Sequence, residues 1–206
     1  MPATKKRVFS GTITANKQKC ENCDNKDECT QKDQIITAFG ILLDCEGFYY
    51  VFRKLEKLDE KPKLCGDVEK FKKEMEAYEK KHENIPFLSP PLVTNGAFAL
   101  ELAMKFLIFK ENKEFECGHN LEVLFSQIPD VHSKLLKEKI YKESHQNEET
   151  FNANINNIAN LFMDYRYFFE HESVGYSNFF TDLVHIVCDY ALSMKEDLSN
   201  RIDEMD

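Results

Sequence analysis

The stretch Thr94-Asn-Gly-Ala-Phe-Ala-Leu-Glu-Leu-Ala-Met-Lys-Phe-Leu-Ile-Phe-Lys-Glu111 decides the fold class. Phe98, Leu102, Phe106 and Phe109 recur at steps of three and four, the period of an α-helix. Leu100, Ala103, Leu107 and Ile108 widen that stripe, and so broad an apolar surface belongs in a core. Glu101 and Lys105 stand one turn apart in the favourable order. From spacing alone they read as a surface ion pair, contributing about a few tenths of a kcal/mol.

The rest of the chain follows the same period. Residues 33–57 carry Ile35, Ile36, Phe39, Leu42, Leu43, Tyr49, Phe52 and Leu55 at helical spacing. Gly40 and Gly47 interrupt that run and offer points of close helix packing. A second helix is expected from Asp67 to Lys81, with a heavily charged solvated face. Asn84 to Pro91 reads as a break, because the prolines at 90 and 91 do not fit a helix interior. After it come a short helix over Leu121–Gln127, capped by His119 or Asn120, and one from Pro129 to Ser144 with Val131, Leu135, Leu136 and Ile140 inward. Gly118, in the turn before them, is free to adopt positive φ. An asparagine-rich helix spans Phe151–Phe162, and a final long one spans Ser177–Asp203. No strand pattern, glycine-rich phosphate loop or internal repeat is present. The economical architecture is all-α, an up-and-down helical bundle.

Composition narrows the function classes. The 206 residues suffice for one domain with an extension, and 42% are hydrophobic, which argues against disorder throughout. No unbroken apolar run reaches the length of a membrane span, and the basic N-terminus lacks a secretory signal's apolar block. A cytoplasmic protein without a membrane partner is expected. Seven cysteines at irregular spacing fit reduced thiols. The net charge of −9 repels nucleic acid on average. Nucleic-acid chemistry on this chain therefore needs a local positive site, a dimer or a partner.

Residues 1–32 read as a flexible lead-in carrying Lys5, Lys6 and Arg7. Cys20, Cys23 and Cys29 form a C-x2-C-x5-C array. Thiolates two residues apart can share a zinc ion, with Cys45 or Cys65 as fourth ligand. Free thiols on a polar segment are the preferred reading, so no metal or cofactor is assigned.

One segment carries chemistry. In Asp164-Tyr-Arg-Tyr-Phe-Phe-Glu-His171, an arginine and a histidine flank four residues. Arginine presents a fork of donors that fits phosphate, and histidine moves protons near neutral pH. Positions five apart point about 140° away from each other on an unbroken helix. Arg166 and His171 therefore converge only if the segment turns near Phe169 or a symmetric partner supplies one of them. Arg166 and Glu170 also form an i,i+4 pair that competes with any catalytic role. His185 reads as a satisfied core histidine, and His82, His132 and His145 as exposed.

The order A-F-A-L-E-L-A-M-K-F-L-I (Ala97 to Ile108), G-H-N-L (Gly118 to Leu121) and D-Y-R-Y-F-F-E-H (Asp164 to His171) resembles the HEPN superfamily over residues 92–200. The resemblance implies a HEPN-type bundle with extra N-terminal helices. With the break at 84–91 as boundary, the chain divides into a flexible Cys-containing segment (1–32), a helical pair (33–83) and the HEPN-like bundle (84–206). It also implies a homodimer whose cleft holds Arg166 and His171 as catalytic residues of a metal-independent endoribonuclease. Glu101, Lys105, Tyr167, Glu170, His119 and Asn120 take supporting positions, with His119 and Asn120 expected to be a buried structural anchor. RNA is the implied substrate, and a toxin–antitoxin or phage-defence system, with an antitoxin or defence partner, the implied setting. Relatives lacking a working histidine serve as binding modules, so an inactive HEPN-like dimerisation or interaction module is the alternative.

Overall fold

A computed structural model describes residues 26–58, 68–82, 88–115, 118–166 and 178–204. The described residues form nine α-helices and no strand: α1 (Lys26–Leu58), α2 (Val68–His82), α3 (Ser89–Asn112), α4 (Leu121–Gln127), α5 (Asp130–Glu143), α6 (Glu148–Asn157), α7 (Leu161–Arg166), α8 (Asn178–Leu192) and α9 (Lys195–Asp203). The all-α expectation holds.

α3 is the central helix. Ala97, Ala99, Leu100, Ala103, Met104, Phe106 and Leu107 are all fully buried and cover about half of its circumference, while Phe98, Leu102 and Lys105 on the other side are only partly buried. α1 lies along it, and α8, α7 and α4 pack on its remaining sides. Pro90 and Pro91 occupy its first turn rather than a break before it. A proline there forfeits no hydrogen bond, since the first N–H groups of a helix have no intrahelical acceptor. α1 shares one continuous hydrophobic core with α3 and α8, through Ile35, Ala38, Leu42, Cys45, Tyr49 and Phe52.

The close approach of helices occurs at a glycine the sequence did not single out. Open space surrounds Gly40 and Gly47. At Gly96, a Cβ would stand 2.7 Å from Phe52 Cδ2, 2.8 Å from Phe52 Cε2 and 3.0 Å from Phe180 Cζ. The missing side chain lets α1 and α8 both bring a phenylalanine against α3. Spacing alone cannot say which glycine turns inward.

Several expected elements are divided differently. The asparagine-rich helix ends at Asn157, and a turn at 158–160 precedes α7. The last long helix is two, separated at Ser193–Met194, where Ser193 Oγ donates to the Tyr190 carbonyl at 2.6 Å. That bond draws a carbonyl out of the helical ladder. On α5 the inward line is His132, Leu136 and Ile140, whereas Val131 and Leu135 face solvent. By length and composition, two helices are apolar enough to cross a membrane, over Gln31–Leu58 and Pro90–Asn112. Scattered charges interrupt both runs, so neither stands out as an unbroken apolar segment in the sequence. The second is 72% buried inside this fold and the first only 39%.

A polar network fastens α1 to α8. Tyr49 donates to Asp189 Oδ1 at 2.9 Å, and its oxygen lies 2.7 Å from His185 Nδ1. His185 Nε2 lies 3.0 Å from both Glu56 oxygens. His185 is thus partnered as expected, at the rim of the core rather than within it. Burial, and then the bond to Asp189, push the Tyr49 phenol far above its ordinary value.

Gly96→Ala should lower the unfolding free energy by about 2 kcal/mol in urea titrations, as in other overpacked cores. Tyr49 also sets an alkaline limit. The unfolded chain releases this proton near its ordinary value of about 10 while the folded chain keeps it, so stability falls as pH rises beyond that point. Tyr49→Phe should be less stable at neutral pH and lose less further stability in the alkaline range, read by chemical denaturation at a series of pH values.

Candidate functional site

Glu101 is the charged residue on the buried girdle of α3, 1% exposed. A carboxylate taken out of water demands partners. It has two. Lys105 Nζ donates to Oε1 at 2.7 Å from the next turn of the same helix. His119 Nδ1 lies 2.9 Å from Oε2 and 3.1 Å from Oε1. The surface ion pair expected from spacing is therefore an interior one, since Lys105 is only 12% exposed. The Lys105 ammonium also stands 5.4 Å from the centre of the Phe115 ring.

His119 reaches Glu101 because its turn is clamped. Asn120 caps α4, its Oδ1 accepting from Val123 N at 2.9 Å. Its Nδ2 donates to Asn160 Oδ1 at 3.3 Å. Leu121 N donates to the Ala159 carbonyl at 2.8 Å. The 118–121 turn is thereby tied to the 158–160 turn that launches α7. Gly118 adopts no left-handed φ, so the freedom expected of it is unused. The first turn of α7 carries Phe162, whose ring lies 5.2 Å from the His119 ring and 5.3 Å from that of Phe98.

The imidazole is not the buried anchor expected from sequence. It is 48% exposed. A carboxylate accepts only, so Nδ1–H donates to Glu101 and Nε2 is left as the second ring nitrogen. A carboxylate-oriented imidazole at the surface is a proton-transfer arrangement. Lys105 balances the Glu101 charge, so the group as a whole carries no uncompensated anion.

Arg166 closes α7, four residues beyond Phe162 and so about 6 Å further along the helix. The Arg166 side chain and Tyr167, Glu170 and His171 lie outside the described residues. Of the expected site residues, Glu101, Lys105, His119 and Asn120 are brought together, next to the helix that ends at Arg166. Tyr165 packs inward on that helix, and burial raises its phenol.

A second histidine was missed. His132, expected to be exposed, is 4% exposed. Its Nδ1 lies 2.9 Å from the Tyr190 hydroxyl and its Nε2 lies 3.2 Å from Glu111 Oε1. The Lys110 bond, and secondarily His132, hold the Glu111 carboxyl below the ordinary carboxylate range. The i,i+4,i+8 line from His132 to Ile140 was the available signal. Every nitrogen of this buried ring has a partner, so His132 is structural. Cys45, offered as a zinc ligand, is buried between α1, α3 and α8, with its Sγ 3.4 Å from the Ala99 carbonyl. Core packing occupies it. Cys20, Cys23, Cys65 and the Cys29 side chain lie outside the described residues. Among the described residues, no cluster of three metal-ligating side chains exists.

Glu101→Gln keeps the shape and removes the charge, leaving Lys105 as a cation inside the fold. It should cost about 2 kcal/mol in urea titrations, the range for hydrogen bonds to charged groups. His119→Ala, which removes a half-exposed partner, should cost less. Equal stability of Glu101→Gln and the wild type would show that the carboxylate is dispensable to the fold.

No family model, curated protein or solved structure matches this chain. The likeness to the HEPN superfamily rests on the residues quoted above.

Proposed function

We propose that the chain is a metal-independent RNA endonuclease. The observation carrying this reading is the buried Glu101 carboxylate, which holds Lys105 and the half-exposed His119 beside the helix that ends at Arg166. In the proposed reaction, the RNA 2′-hydroxyl attacks the adjacent phosphorus. A P–O bond forms to the 2′-oxygen and the P–O bond to the 5′-oxygen breaks. His171 and its copy in the second subunit take the hydroxyl proton and return a proton to the leaving oxygen. Arg166 neutralises the charge that gathers on the phosphoryl oxygens. The products are a 2′,3′-cyclic phosphate and a 5′-hydroxyl. Glu101, Lys105, His119 and Asn120 position the α7 end, with Tyr167 and Glu170 flanking the pair.

The acidic chain concentrates its attraction for RNA at these few cations, so binding should weaken with salt by only a small number of phosphate contacts. A defence or toxin–antitoxin role in the cytoplasm, with a silencing partner, belongs to the same proposal. The second reading is a non-catalytic interaction module, and the exposed apolar line along α1 favours it.

Purified protein incubated with total RNA in EDTA should release fragments ending in 2′,3′-cyclic phosphate. Arg166→Ala and His171→Ala should each lower the rate by about a hundredfold or more, the scale of acid–base and charge-stabilising groups. His119→Ala should lower it less and change the pH profile. Undiminished cleavage by the Arg166 and His171 variants would sink this site. Absence of cleavage by the wild type would favour the interaction module.

A further inference from the structure

The exposed face of α1 is as ordered in sequence as its buried face. Ile36 is 41%, Leu43 42% and Tyr50 61% exposed, and Val51 and Leu58 continue the line. Positions 36, 40, 43, 47, 50 and 54 alternate steps of four and three, the spacing of a helix–helix seam. The two intervening positions are Gly40 and Gly47, and open space surrounds both. From position 36 to position 54 this stripe runs about 27 Å along the helix axis. The opposite face of the same helix is spent on the core, through Leu42, Cys45 and Phe52.

Charge closes the pattern. Asp33 lies at one end of the stripe, and Lys54 and Lys57 lie at the other. The Lys54 ammonium rests 5.2 Å from the centre of the Tyr50 ring. We propose that this stripe is an antiparallel seam with α1 of a second copy of this chain. A two-fold axis between positions 43 and 44 sets Gly40 of each copy opposite Gly47 of the other. It places Ile36 against Val51 and Tyr50, and Asp33 against Lys54. A parallel pairing stacks Asp33 on Asp33 and Lys54 on Lys54. Without side chains at 40 and 47, the two backbones approach closer than the usual separation of about 8–10 Å. A lipid surface fits less well, because the net charge of −9 opposes anionic headgroups and Asp33 and Asp44 border the stripe. The seam lies outside residues 92–200, so its own variants read it apart from the ribonuclease site, although a monomeric wild type would count against both.

Sedimentation velocity on the full chain at micromolar concentration is the test. The wild type should be a dimer. Leu43→Glu and Gly47→Gln should each raise the dimer dissociation constant more than about tenfold, which is about 1.4 kcal/mol. Circular dichroism should keep its helical form and melting of the monomer should not fall, since both positions are open and a glycine inside a helix is a poor helix former. Asp33→Lys and Lys54→Asp should each weaken the dimer, and the double variant should restore it. A monomeric wild type overturns the proposal, as does a dimer indifferent to Leu43→Glu. A monomer that binds mixed anionic vesicles through Leu43, or one that loses melting temperature in Leu43→Glu because α2 covers the stripe, overturns it too. A dimer without RNA cleavage would leave this seam standing and remove only the catalytic proposal.

Discussion

A core helix can carry a carboxylate on its buried side only where other groups neutralise it, and that constraint organises this molecule. Glu101 sits at the middle of such a helix. One partner, Lys105, comes from the same helix and needs no tertiary structure. The other, His119, must be carried back to α3 by the chain that follows. Meeting that demand fixes the 118–120 turn, and with it the start of α4. The Leu121–Ala159 backbone bond then passes the constraint to the turn that launches α7. A single interior charge thus couples three segments that are distant in sequence.

The second constraint is steric. α3 accepts phenylalanines from α1 and α8 at one point because Gly96 has no side chain there. The core continues from Ile35 through α3 into Val184 and Val187, so the N-terminal helix α1 is a structural part of the body. Outside that contact, α1 is fastened to α8 by the Tyr49–His185–Glu56 network and to α9 by the Lys195–Glu46 pair. One face of α1 is thereby fully committed while the other keeps its apolar residues in solvent.

The helical class was legible because Phe98, Leu102, Phe106 and Phe109 repeat without ambiguity. So was a cap at 119 or 120, which needs only an acceptor before a helical run, and the structure assigns it to Asn120. What escaped reading depended on surroundings. Nothing local distinguishes a Glu101–Lys105 pair in solvent from one in a core; the difference is how many helices surround α3. On α5, Val131, Leu135, Leu136 and Ile140 fit two faces, and the structure chose the one that also buries His132. The turns at 158–160 and 193–194 contain neither glycine nor proline, so no residue announced them. Pro90 and Pro91 did announce themselves, but as the first turn of a helix rather than as a gap. In the candidate site, spacing placed Glu101 with Lys105, whereas the contact of His119 with Glu101 was not legible, since the resemblance gave His119 only as an anchor of its own turn. The exposure of His119 was not legible, because it depends on which side of the Phe162 ring stays open.

The proposed function divides labour between a built group and a segment. The built group is Glu101, Lys105 and His119, held by geometry that owes nothing to a ligand. The segment begins at Arg166 and carries His171. In the proposed reaction the first holds the end of α7 in place and the second acts on the RNA phosphate. The direct measurement is an NMR titration of the histidine side chains with a 2′-O-methylated RNA, which binds but lacks the attacking hydroxyl. The His119 and His171 ring signals should shift together with one saturation curve, and Arg166→Ala should weaken the response of both. Shifts confined to His82, His132, His145 or His185, with His119 and His171 unmoved, would contradict it.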